Sequence, residues 1–222
     1  MSYSIKYMRF NPHKQPELLP QVVSCYRKVF SGEPWNEWKK CPMCGQYWGA
    51  GQRLTLKQMN FQHCGTAVVD YWPRGIVARD IRHEINDRSS CWLAMDGASV
   101  IGFCWGYPIS QDTLEEKLGL EGLARTIEHD LRCPWDVAYQ DEIGVLPGYR
   151  RRGIARWLFE ARLDDFLRQG LGLSVVRTKT RPPTVVYHWY LRLGYRVVAE
   201  YGDQEGRVVM AKKLYLDSSG DR

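Results

Sequence analysis

The sequence predicts a mixed α/β, α+β-like domain carrying a small cysteine-containing insertion, and three observations lead there. Apolar residues repeat with strand period in some segments and helical period in others, and the two kinds alternate along the chain. Asp96-Gly97 separates two apolar runs, as the turn of a hairpin would. Between residues 32 and 74 the composition shifts to Cys, Trp, Gly and Gln without a sustained period, which marks an insertion. The length of 222 residues suits a single domain of the usual roughly 100–200 residues, here placed at 1–216 with a frayed tail at 217–222.

The elements follow in order. Residues 6–10 make a short first strand. Over 16–30 the apolar positions Leu18, Leu19, Val22, Val23, Tyr26, Val29 and Phe30 recur at helical spacing. Ile76, Val77, Ile81 and Ile85 define a second helix over 76–86. Residues 91–95 and 100–107 form the hairpin, and 114–131 reads as a charged helix. A strand over 137–145 ends at Leu146-Pro147-Gly148. The helix over 152–169 places Ala155, Leu158, Phe159, Leu163 and Phe166 on one face, with Arg156, Glu160, Asp164 and Arg168 on the other. A strand at 173–178, a helix at 184–193 and a hairpin of 195–201 with 207–214 complete the chain.

Composition excludes several classes. At 44% hydrophobic content the chain matches an ordinary globular protein rather than a disordered one. No apolar run approaches the roughly 20 residues of a membrane span. The first residues do not resemble a secretory signal, so a soluble, cytoplasmic chain is expected. The seven cysteines are odd in number and scattered, which argues for reduced thiols. The formal charge is +6, and Arg150-Arg151-Arg152 forms the dense basic cluster.

That cluster lies where the strand over 137–145 gives way to a helix, in Ile143-Gly144-Val145-Leu146-Pro147-Gly148-Tyr149-Arg150-Arg151-Arg152-Gly153-Ile154-Ala155. Cations at a helix N-terminus oppose the macrodipole, so this placement points to an anionic ligand. The first N–H groups of a helix lack intrahelical partners, and Gly153 and Ala155 leave room for a phosphate to approach them. Neither a Rossmann nor a Walker phosphate motif is present.

Here the sequence resembles the Gcn5-related N-acetyltransferase (GNAT) superfamily. Arg150-Arg151-Arg152-Gly153-Ile154-Ala155 fits the family's acetyl-CoA signature Q/R-x-x-G-x-G/A, and Tyr190-Leu191-Arg192-Leu193-Gly194-Tyr195 fits its later Y-x-x-x-G-[FY] element. The resemblance implies a GNAT fold, with a central, mostly antiparallel, splayed sheet flanked by helices. It implies that Ile143, Gly144 and Val145 line the pantetheine arm, and that Arg150, Arg151, Arg152, Gly153, Ile154, Ala155 and Arg156 meet the cofactor's phosphates. It also implies an acetyl-CoA-dependent N-acetyltransferase acting on a primary amine, small or peptidic. Such chemistry needs a base for the ammonium proton and a donor for the leaving thiolate. Asp141 and Glu142 are the base candidates; adjacent strand residues point to opposite faces, and the family pattern favours Asp141. Tyr190 matches the family's proton donor, although an aromatic on the core face of a short helix would read the same way. The N–H of Val145 is the implied oxyanion donor. Arg181-Pro182-Pro183-Thr184 stands where the family often has a cofactor-binding asparagine, which leaves that contact without its usual residue.

The insertion carries its own pattern. Cys41-Pro42-Met43-Cys44-Gly45 has the spacing of a metal-binding knuckle, and Cys64-Gly65 resembles half of a second, with Phe61 where a zinc ribbon would place a third cysteine. His63 is the adjacent fourth candidate, although neighbouring residues rarely ligate one metal. A structural zinc site of Cys41, Cys44, His63 and Cys64 competes with a decayed ribbon. The alternative function is a non-catalytic module that binds nucleic acid or protein through this insertion. Most aromatics sit at core positions rather than among basic residues, which disfavours a nucleic-acid surface.

Overall fold

The structure, a computed structural model, describes residues 5–133, 135–181, 185–203 and 206–214. In chain order it runs β1 (Lys6–Arg9), α1 (Leu19–Phe30), β2 (Lys39–Lys40), β3 (Tyr47–Trp48), α2 (Arg53–Gln58), β4 (Gln62–His63), β5 (Thr66–Ala67) and β6 (Val69–Asp70). There follow α3 (Arg74–Glu84), β7 (Ser90–Asp96), β8 (Ser99–Ile109), α4 (Gln111–Leu118), α5 (Leu123–Arg125) and β9 (Val137–Val145). The last elements are α6 (Ile154–Arg168), β10 (Leu173–Lys179), α7 (Val185–Arg192), β11 (Arg196–Glu200) and β12 (Arg207–Lys213). The chain divides into two compact units, Met1–Asn86 with Trp92–Phe103 and Gly144–Leu158, and Asp87–Cys91 with Cys104–Ile143 and Phe159–Arg222. Strands β7, β8 and β9 and helix α6 thus belong in part to each.

In the first unit β1 pairs antiparallel with β7, from Lys6 opposite Met95 to Arg9 opposite Trp92. Helix α1 starts three residues later than its apolar period suggests. Pro20 is tolerated only in a first turn, so the helix opens just ahead of it. Its inner face buries Val22, Val23, Tyr26, Val29 and Phe30, and the rings of Tyr26 and Phe30 meet Phe103. Gly144 is required there, because a Cβ would lie 2.7 Å from Phe103 Cζ and 2.8 Å from Val29 Cγ1.

The aperiodic insertion turns out to be ordered from very short pieces: a three-stranded sheet in the order β3-β2-β6 and a separate β4-β5 hairpin. Cys41, Trp48, Leu56 and Val68 form its small core. Asp70 ties it to α1, accepting from Arg27 Nη2 at 2.6 Å and from Lys39 Nζ at 2.7 Å. Burial alone would raise the Asp70 pKa, but these two cations hold it below the usual value.

In the second unit the strands run β8-β9-β10-β12-β11. β12 pairs antiparallel with both β10 and β11, whereas β9 and β10 are parallel. One face carries Leu114, Leu118, Leu123, Ile127, Tyr139 and Val175; the other carries Phe159, Val176, Tyr190 and Tyr195. The single helix expected over 114–131 is instead broken. Gly119 and Gly122 adopt φ of 60° and 83°, closing α4 and opening α5, which runs into a π-helical turn at Thr126–Asp130. No helix among the described residues is long and apolar enough to cross a membrane. The tail at 217–222 and the residues Pro182, Pro183 and Thr184 lie outside the described residues.

Candidate active site

In the first unit α6 opens at Ile154, two residues later than the helix expected over 152–169, so Arg150, Arg151, Arg152 and Gly153 lie in the loop ahead of it. Pro147–Tyr149 makes a 3-10 turn, and Arg151 and Gly153 take φ of 62° and 79°. Left-handed Arg151 and Gly153 flank Arg152, whose φ is negative, and such alternation of hand is the backbone pattern of an anion-binding nest. A Cβ on Gly153 would meet nothing within 4 Å. The first amides of a helix precede its regular hydrogen-bonded ladder, and in α6 the N–H of Trp157 bonds Gly153 O at 3.0 Å. Ile154 is buried, which anchors the helix end.

The three arginines of the cluster are exposed, and two of them bond back to the loop. Arg150 donates to Val145 O at 3.2 Å and to Glu33 O at 3.3 Å, so it braces the loop from behind. Arg152 donates to Gly148 O at 3.1 Å and lies over the Tyr149 ring. Tyr149 in turn donates to Asp96 at 2.7 Å. Arg156 projects from the first helical turn.

In the second unit the parallel pairing of β9 with β10 joins Ser174 to Ala138 and Val175 to Tyr139. β10 continues to Lys179, yet beyond Tyr139 no further pair with β9 forms among the described residues. The two strands splay. On β10, past the last pair, Thr178 is buried, and its hydroxyl has no hydrogen-bond partner among the described residues. Asp141 lies beside the splay, its Oδ2 accepting from Tyr107 Oη at 2.7 Å and Lys117 Nζ at 3.2 Å. Glu142 is half-buried, and its main-chain carbonyl accepts from Arg162 Nη1 at 2.7 Å. Ile143 packs against the cluster that contains Phe159 and Tyr190.

Arg162 is the residue that periodicity misses. On α6 it falls beside the apolar face, and it is fully buried. It donates to Trp105 O at 2.7 Å, to Glu142 O, to the Gln140 side chain and to the hydroxyl of Tyr190. Gln140 continues the network to Ser174 and Tyr195. Tyr190 is 1% exposed. Burial raises its pKa, with Arg162 working in the opposite direction. A guanidinium can only donate. The Tyr190 oxygen therefore accepts from Arg162, and the phenol's own proton is not committed to that bond.

The cysteine cluster lies in the first unit. The ligand atoms of Cys41, Cys44, His63 and Cys64 all lie within 4.8 Å of one another. Burial opposes ionisation of Cys41, but hydrogen bonds from His63 and the amides of Cys44 and Met43 outweigh it and bring the thiol to about 6. Cys64 is pushed up to about 11 by its hydrogen bond with Cys44, by burial and by its neighbours' charge. The cysteines expected in the core, Cys25, Cys91, Cys104 and Cys133, are buried.

A family model for the acetyltransferase (GNAT) domain matches residues 87–197, half of the chain. No curated protein sequence matches. Among solved structures, the chain resembles PaiA N-acetyltransferase of Thermoplasma acidophilum in complex with coenzyme A, at 12% identity and TM-score 0.51, covering 95% of this chain and 99% of that one. It also resembles NAA60 of Arabidopsis thaliana in complex with acetyl-CoA, at 14% identity and TM-score 0.54, covering 95% and 98%. A third is the ribosomal-protein-S18-alanine N-acetyltransferase of Escherichia coli, at 10% identity and TM-score 0.52, covering 98% of each. At such identities the likeness is one of fold, and it agrees with a mixed α/β architecture around a mostly antiparallel sheet.

Proposed function

This chain belongs to the GNAT acetyltransferase family, a class of acyltransferases, and on that premise we propose that it moves the acetyl group of acetyl-CoA onto a primary amine of a small molecule or a peptide. The observation that carries the reading is the span of the family match, 87–197, which includes both the loop at Arg150–Ala155 and Tyr190. The nest at Arg151 and Gly153 and the open first turn of α6 suit a pyrophosphate. The β9-β10 splay suits the pantetheine arm, and the partnerless Thr178 hydroxyl supports a ligand hydrogen bond on that strand.

In the proposed reaction the amine nitrogen attacks the thioester carbonyl, the C–N bond forms and the C–S bond breaks. The departing proton goes to a carboxylate. Asp141 suits this role because it lies beside the splay with its carboxylate oriented through Oδ2 by Tyr107 and Lys117; Glu142 is the other candidate. The Val145 N–H would meet the oxyanion. Tyr190 would give its proton to the CoA thiolate. Free cysteines throughout fit a reducing compartment, and the proposal places the chain in the cytoplasm.

The test is release of CoA thiol from acetyl-CoA in the presence of a panel of primary amines: polyamines, amino sugars, lysine peptides and peptide N-termini. Release above the amine-free rate with at least one acceptor, accompanied by an acetylated product, is the expected result. No acceptor raising release, together with binding of DNA or RNA that is lost at moderate salt, would favour the non-catalytic alternative.

A further inference from the structure

We propose that the insertion holds one zinc ion through Cys41 Sγ, Cys44 Sγ, His63 Nδ1 and Cys64 Sγ, as a closed structural site. The distances fit. Zinc bonds of about 2.3 Å to sulfur and about 2.0 Å to nitrogen give a tetrahedron with S···N edges of about 3.5 Å. His63 Nδ1 lies 3.5 Å from Cys44 Sγ and 3.3 Å from Cys64 Sγ. These are ligand–ligand spacings around a shared centre.

The backbone explains how adjacent residues converge. Side chains of neighbouring strand residues point to opposite faces, so His63 and Cys64 on one strand would diverge. But β4 ends at His63, and Cys64-Gly65 is a two-residue hairpin turn with φ of 51° and 72°. The left-handed region is unfavourable for a residue with a Cβ. Here it brings the Cys64 sulfur to the same side as the His63 ring nitrogen.

The other knuckle is equally formed. Cys41 N donates to Gln46 O at 2.8 Å, and Gly45 N donates to Cys41 O at 3.0 Å with Gly45 at φ 76°. Trp48 meets the His63 ring edge-on. Three thiols and an imidazole are soft and borderline ligands that select zinc over magnesium or calcium. Four protein ligands fill a tetrahedron and leave no position for substrate, which makes the site structural. Its task is to join two hairpins whose strands are two residues each and whose core is a handful of side chains.

The experiment uses the full chain, produced with zinc in the medium and purified under reducing conditions. Elemental analysis should find about one equivalent of zinc per chain. Cobalt exchanged into the site should give the intense visible absorption of a tetrahedral thiolate centre. Cys44→Ser should reduce retained metal to less than a tenth of an equivalent. His63→Cys, which keeps four ligands, should retain the metal while shifting the cobalt spectrum. Less than a tenth of an equivalent in the parent protein would overturn the proposal. So would a Cys44→Ser variant that keeps its full equivalent, or a cobalt spectrum indifferent to His63→Cys.

Discussion

Replacing Arg162 by Met tests the organisation of the second unit most severely. Met keeps most of the apolar stem and removes every donor. Four acceptors then lose their partner: the buried Trp105 O, Gln140 side chain and Tyr190 hydroxyl, and the half-buried Glu142 O. An orphaned buried acceptor costs about 1–3 kcal/mol, so the three buried ones cost about 3–9 kcal/mol before any compensation. Two terms oppose this. The cation's own desolvation is relieved, and so is its Nε, which has no hydrogen-bond partner among the described residues. A net loss of about 3 kcal/mol is therefore expected, the lower end of what removing one member of a buried charged network costs. For a chain of this length that lowers Tm by about 6–12 °C. Thermal melts followed by circular dichroism, on the parent and the variant at equal concentration, read it directly. Arg162→Lys should fall between the two, since an ammonium lacks the planar fork that reaches several acceptors at once. A drop under 2 °C for Arg162→Met would show that the network does not organise the strands around it.

Tyr190→Phe removes the hydroxyl and keeps the ring, so turnover should fall by about 10²–10⁴-fold while acetyl-CoA affinity holds; turnover within a few-fold of the parent would leave Tyr190 as a packing aromatic. Gly144→Ala places a methyl 2.7 Å from Phe103 Cζ, and overpacking of this kind should cost about 1–3 kcal/mol in urea melts; an unchanged midpoint would refute the packing argument. The Asp70 pKa is lowered in the fold, so the Arg27–Asp70–Lys39 cluster stabilises fully above the unfolded value near ~3.9 and loses that contribution as pH falls through the folded value. Asp70→Asn should therefore be less stable than the parent at pH 7, by at most about 1 kcal/mol because the group is partly exposed, and the gap should close on acidification.

Much of this architecture is legible in the sequence because the period of apolar residues is a direct record of burial. The strand over 137–145 and the inner face of α6 were readable for that reason. Where burial does not follow period, the reading slips. Arg162 is invisible to it, since a charged residue on a helix flank reads as surface until the carbonyls of Trp105 and Glu142 are seen to close over it. The helix expected over 114–131 keeps its apolar spacing across Gly119 and Gly122, but both take left-handed backbone and cut it. In the insertion, strands of two residues are too short to show any alternation, so order there rests on turns rather than on pattern. The convergence of His63 with Cys64 depends on the sign of one backbone angle, which spacing alone does not reveal.

The central claim, that the β9-α6 loop receives acetyl-CoA, is tested most directly by calorimetric titration of acetyl-CoA into the parent chain and into Gly153→Glu. Gly153 has φ 79° and open space at its Cβ position, so the new carboxylate would both strain the turn and bring negative charge to where the phosphates are expected. One molecule bound per parent chain, with affinity lost by at least tenfold in the variant, is the predicted result. Equal affinity in the two proteins, or no binding to the parent, would contradict the account.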